Sequence, residues 1–88
     1  MMTEANLLIF REELFKAIQE SNKNPNKLIQ GFYKIFDKYG LSDISIGAKK
    51  IGTTIVLTPQ DTISQFCMAT IFDTQMFDSL DIDINLEK

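Results

Sequence analysis

The sequence predicts an α+β fold: an N-terminal antiparallel helix hairpin packed on a three- or four-stranded antiparallel sheet. Three observations carry this reading. Apolar residues recur at helical spacing as far as Tyr39. From Asp43 the apolar period shortens to two, and capping or turn residues stand at the boundaries between the segments.

Thr3 or Asn6 can cap a first helix in which Leu7, Phe10, Leu14, Ala17 and Ile18 share one face. Arg11, Glu12, Lys16, Gln19 and Glu20 share the other, with Ile9 the one apolar residue among them. The run Ser21 to Asn24 breaks the helix, and Asn24-Pro25 opens a second as N-cap and first helical residue. Leu28, Phe32, Ile35, Phe36 and Tyr39 form its apolar stripe. Gly40 falls where a left-handed residue ends a helix, bringing Leu41 back to Phe36. Gly31 inside this helix implies close helix packing, since glycine there costs about 1 kcal/mol relative to alanine.

Ile44, Ile46 and Ala48 alternate with Ser45 and Gly47 as a first strand. Lys50-Ile51-Gly52-Thr53 reads as a turn with glycine at its third position, and Thr53 to Thr58 as a central strand. Residues 59–78 admit two readings. Pro59 and Asp61 suit the start of a third helix, or the turn of a hairpin. Thr62 to Phe72 is rich in Thr, Ile, Phe and Ser and has no Leu, Glu, Lys or Arg, which favours a strand. Leu80, Ile82, Ile84 and Leu86 then alternate with Asp81, Asp83, Asn85 and Glu87 as an acidic edge strand.

A chain of 88 residues makes one domain, 1–88, and buries roughly 60–65% of its unfolded surface, so dimerisation is one way to complete its core. Cys67 is the sole cysteine, which excludes an intramolecular disulfide and suits a reducing cytoplasmic compartment. No segment approaches the ~20 apolar residues of a membrane span, and the start carries no basic leader segment.

Several fragments of chemical motifs fail on their spacing. Gly47 and Gly52 have the glycine spacing of a phosphate-binding loop, but the lysine position holds Thr53. Asp81, Asp83 and Asn85 match the opening of a calcium loop, but its glycine position holds Leu86. With no histidine and one cysteine there is neither a closed zinc ligand set nor the usual base for a serine or cysteine nucleophile. Cys67, in the apolar string Phe66-Cys67-Met68-Ala69, reads as a small buried hydrophobe. No cofactor, metal site or catalytic residue is expected.

Charge is the feature that points to a partner. Residues 1–50 hold eight of the nine cationic side chains against six acids, whereas residues 51–88 hold Lys88 against six acids. The candidate partner-binding residues are accordingly Asp73, Asp78, Asp81, Asp83 and Glu87 on one side and Lys27, Lys34 and Lys38 on the other. The three lysines fall on one face of the second helix. A net charge of −3 argues against nucleic acid as the partner. The expected function is a small non-enzymatic protein-binding module: an inhibitor, adaptor or assembly component. An acidic nucleic-acid mimic that antagonises a DNA-binding protein is the alternative, and a carboxylate- and metal-dependent small enzyme a more distant one. The small size and the Ile-, Lys-, Asn- and Asp-rich composition would suit a phage or mobile-element accessory protein.

Overall fold

Thr3 opens the first helix, α1 (Glu4–Glu20), through its hydroxyl, which accepts from the Asn6 backbone N–H at 3.1 Å. These elements come from a computed structural model that describes residues 3–73 and 75–85. The Asn24 side chain caps α2 (Pro25–Lys38) by accepting from the N–H groups of Asn26 and Lys27. At its far end Gly40 takes φ +74°, and Leu41 and Gly40 donate to the carbonyls of Phe36 and Asp37. That is the paired closure by which a left-handed glycine satisfies the last carbonyls of a helix.

The two helices meet along their apolar stripes. The Phe10 ring lies 5.9 Å from Phe36 and 5.0 Å from Tyr39, centroid to centroid. A Cβ added at Gly31 would come within 3.4 Å of the Ala17 side chain, so the absence of a side chain there permits the approach. Lys38 reaches Glu13 at 3.0 Å, and Glu13 also accepts a short hydrogen bond from the Tyr39 hydroxyl.

β1 (Ile46–Ile51) and β2 (Thr54–Pro59) form an antiparallel pair. They are joined by Gly52-Thr53, with Gly52 at φ +62°. Ile51 pairs with Thr54, so the turn spans Ile51 to Thr54 and glycine is its second residue, one place earlier than the sequence suggested.

Thr62–Ile71 is helical, which corrects the strand reading. Asp61 caps α3 (Thr62–Ile71), its carboxylate accepting from Ser64 N–H at 2.7 Å, while Pro59 closes β2 instead of opening the helix. Ser64, Met68 and Ile71 are buried, at helical spacing. This burial outweighs the weak helix propensity of the segment. Arg11 secures the other end by donating to the carbonyls of Thr70 and Ile71, where a cation also meets the negative helix terminus.

A 3₁₀ helix (Gln75–Leu80) follows, then β3 (Ile82–Ile84), which joins β2 in parallel. The sheet is thus mixed, in the order β1-β2-β3, where an antiparallel sheet was expected. The reason is the connection: α3 carries the chain over the sheet, and a strand that returns by such a crossover runs parallel to the one it left. The acidic strand also begins later than the expected Leu80, and the last residues of the expected strand, Leu86 and Glu87, lie outside the described residues. Leu80 ends the 3₁₀ helix, Asp81 has φ +57°, and only then does extended pairing begin. Among the described residues the fold is α+β, with Phe10, Leu14, Phe32, Phe36, Ile55, Leu57 and Met68 fully buried at its centre.

Candidate functional site

The register of the sheet assigns each edge its charges. On one face, Ile46, Ile55, Leu57 and Pro59 are buried, and Ala48, Ile82 and Ile84 pack partly against the core. On the other face Lys49 pairs with Val56, and Val56 with Asp83, so Lys49 and Asp83 end one cross-strand row at opposite edges. Lys49 and Asp83 are exposed and Val56 is half-buried.

Backbone hydrogen bonds show which groups point out of each edge. Gln60 N–H donates to the Ser45 carbonyl, so Ser45 faces β2, and by alternation Ile46, Ala48 and Lys50 face away from it. The Tyr33 hydroxyl takes up both outward groups of Ile46, donating to its carbonyl at 2.9 Å and accepting from its N–H at 3.0 Å. At the other edge, Ile55 N–H donates to the Asp81 carbonyl and Asn85 N–H to the Leu57 carbonyl. Asp81 and Asn85 therefore face β2, while the backbone groups of Ile82 and Ile84 face outward. Among the described residues no strand pairs with that outer edge.

Beside β3 lies a groove of about 530 Å³, floored by Phe72, Phe77, Ile82 and Ile84 and flanked by Asp73 and Asp78. The floor is continuous with the core: the Phe77 ring lies 4.3 Å from Phe72 and 6.3 Å from Phe15. A groove with an apolar floor and acidic flanks, alongside a strand edge unpaired among the described residues, suits an added strand, with main-chain bonds holding the segment and alternate side chains entering the groove.

The predicted acidic residues divide among three environments. Asp73 and Asp78 come together at the groove. Asp83 points from the opposite face of β3, because strand alternation separates it from Ile82 and Ile84. Asp81 does not stand beside Asp83 as expected. It accepts from the Thr54 hydroxyl at 2.9 Å and from the Lys23 ammonium at 3.2 Å, and these two contacts, the hydroxyl first, hold its carboxyl below the usual range. Its role is to tie β3 to β2 and to the α1–α2 loop, where Lys23 also reaches the Thr53 carbonyl. Glu87 lies outside the described residues.

Of the lysines, Lys38 is neutralised by Glu13, while Lys27 and Lys34 take part in no ion pair among the described residues. None of the three lines the acidic groove. Lys34 borders a separate concavity with Tyr33, Asp37 and Asp43. Lys49 and Lys50, not among the predicted site residues, both stand on β1, although the sequence reading placed Lys50 in the turn. Two adjacent lysines in a chain half with excess cations were the available signal.

Cys67 is half-buried beside an exposed Phe66, and burial raises its thiol pKa above the ordinary range. Among the described residues no three His, Cys, Asp or Glu side chains converge as metal ligands, and no helix is long and apolar enough to cross a membrane. No protein-family model, curated protein or solved structure matches this chain, so the functional reading rests on this geometry alone.

Proposed function

We propose that the protein is a small non-enzymatic binding module whose docking site is the β3 edge and the groove beside it. The helix pair α1–α2, packed on one face of the sheet, serves as the scaffold for that edge. The partner is a protein segment that binds in extended form, with apolar side chains for the channel and Lys or Arg to meet Asp73 and Asp78. The observation that carries this reading is the coincidence of three features in one place: outward backbone groups on Ile82 and Ile84, an apolar floor, and two flanking carboxylates. The backbone and the floor supply the hold, and the acids supply selectivity and association rate.

The test is affinity capture from lysate on immobilised protein, comparing the parent chain with Asp73→Lys/Asp78→Lys and with Lys27→Glu/Lys34→Glu. A protein that is retained by the parent and by the lysine variant, but lost from the aspartate variant, supports the proposal. Equal retention by the parent and the aspartate variant overturns it.

A further inference from the structure

We infer that one occupant of the β3 edge is the β1 edge of a second copy of this chain, added antiparallel without any shift of register. This deepens the reading above by naming a partner, and three independent features of the sheet agree on it. The first is charge. The basic edge and the acidic edge are opposite ends of a single three-stranded sheet, with Lys49 and Asp83 terminating the same cross-strand row. When the sheet of one copy continues into the next, that row continues too, and Lys49 of the next copy stands beside Asp83.

The second is backbone pairing. Two further rows cross the sheet: Lys50–Ile55–Ile82 and Ala48–Leu57–Ile84. The residues ending these rows, Lys50 and Ala48 on β1 and Ile82 and Ile84 on β3, are those whose backbone groups point out of their edges. An unshifted antiparallel junction makes Ile82 with Lys50, and Ile84 with Ala48, hydrogen-bonded pairs. Asp83 with Lys49 becomes the intervening pair, in which side chains approach most closely. A shift of one residue would set outward groups against inward ones and lose these bonds. The third is the face on which Lys50 lies. It shares the face of Ile82 and Ile84, so it enters the junction on the side of the groove where Asp73 and Asp78 stand.

Because the two edges differ, the contact is heterologous: a joined pair keeps the β1 edge of one copy and the β3 edge of the other unused, and association proceeds head to tail. Tyr33 closes β1 at Ile46, which confines the junction to Ala48 and Lys50. An interface this short is weak and salt-sensitive.

The experiment is sedimentation velocity on the full chain over a concentration series up to about 1 mM, at low and moderate salt. The parent, Lys49→Asp, Asp83→Lys and an equimolar mixture of the two variants are compared. Both positions are exposed, and circular dichroism confirms that the variants fold. The expected result is concentration-dependent growth of the parent that falls with salt. Each variant alone is weakened by at least about ten-fold, since like charges then face each other. In the mixture growth is restored, because the carboxylate introduced on β1 of one variant meets the ammonium introduced on β3 of the other, while the remaining junction is that of the parent. A parent that stays monomeric throughout, variants that associate as the parent does, or a mixture that stays as weak as its components, each overturns the inference. Neither Lys49 nor Asp83 flanks the groove, so failure here leaves the Asp73/Asp78 reading standing, and the capture experiment decides that separately.

Discussion

The Tyr33 hydroxyl satisfies both backbone groups of Ile46 that point away from the sheet, accepting from the N–H and donating to the carbonyl. One phenol from α2 thereby closes the first rung of an edge on which, among the described residues, no strand pairs with Ala48 and Lys50. Edge strands are commonly protected in this way, by covering part of the row of unpaired groups. Tyr33→Phe should lower stability by about 1 kcal/mol, the usual net worth of such a bond. Urea melts give the stability loss, and faster hydrogen exchange at the Ile46 amide shows that the edge has been uncovered.

Phe32 and Phe36 are fully buried in the core, with ring centroids 5.9 Å apart. Replacing either with alanine should cost about 3–5 kcal/mol. In a domain with only a few kcal/mol to lose, one of the two variants is expected to be unfolded at room temperature, as read by circular dichroism.

The Glu13 carboxyl is held below its ordinary value of 4.5, first by the Tyr39 hydroxyl and then by the Lys38 ammonium. A depressed folded-state pKa stabilises fully above the unfolded value and is lost as pH falls through the folded one. Denaturant midpoints should therefore be level down to about pH 5 and decline below it. Glu13→Gln should flatten part of that decline. Asp61 and Asp81, also held low, account for the remainder.

Burial raises the Cys67 thiol pKa, which reduces the thiolate fraction at neutral pH. Its reaction with a disulfide reagent near pH 8 should be at least about ten-fold slower in the native protein than in denaturant. A native rate equal to the denatured one would show that the thiol is open to solvent.

Asp81 combines a left-handed backbone with bonds to Thr54 and Lys23. Asp81→Val loses both bonds and strains the backbone. The Ile55 amide, which donates to the Asp81 carbonyl, should then exchange faster, whereas Asp81→Asn should retain most of its protection.

Local signals were legible where one residue type answers one local need. Thr3, Asn24-Pro25 and Gly40-Leu41 mark their helix ends because caps are decided within a single turn, and the stripes of Phe10–Leu14–Ile18 and Leu28–Phe32–Phe36 are buried as their spacing implies. What depends on distant contacts was not legible. Thr62 to Ile71 has the composition of a strand, and it is helical because Ser64, Met68 and Ile71 fit the core and Asp61 caps the first turn. The direction of β3 follows from that crossover, and the approach of Asp73 and Asp78 to Ile82 and Ile84 follows from it as well. The regular Asp–Ile alternation concealed that Asp81 turns back toward Thr54 and Lys23.

The parallel pairing of β3 also sets a temporal order. β1 and β2 close through a two-residue turn, a microsecond event that needs no other part of the chain. β3 can join only after residues 60–81 have been laid across the sheet, a loop closure that comes slowly and is repaid late. A partly folded copy therefore carries the basic edge before it carries the acidic one. In any head-to-tail assembly such a copy occupies the β3 edge of its neighbour and offers none in return, so the length of an assembly is governed by the fraction of chains that have completed the crossover.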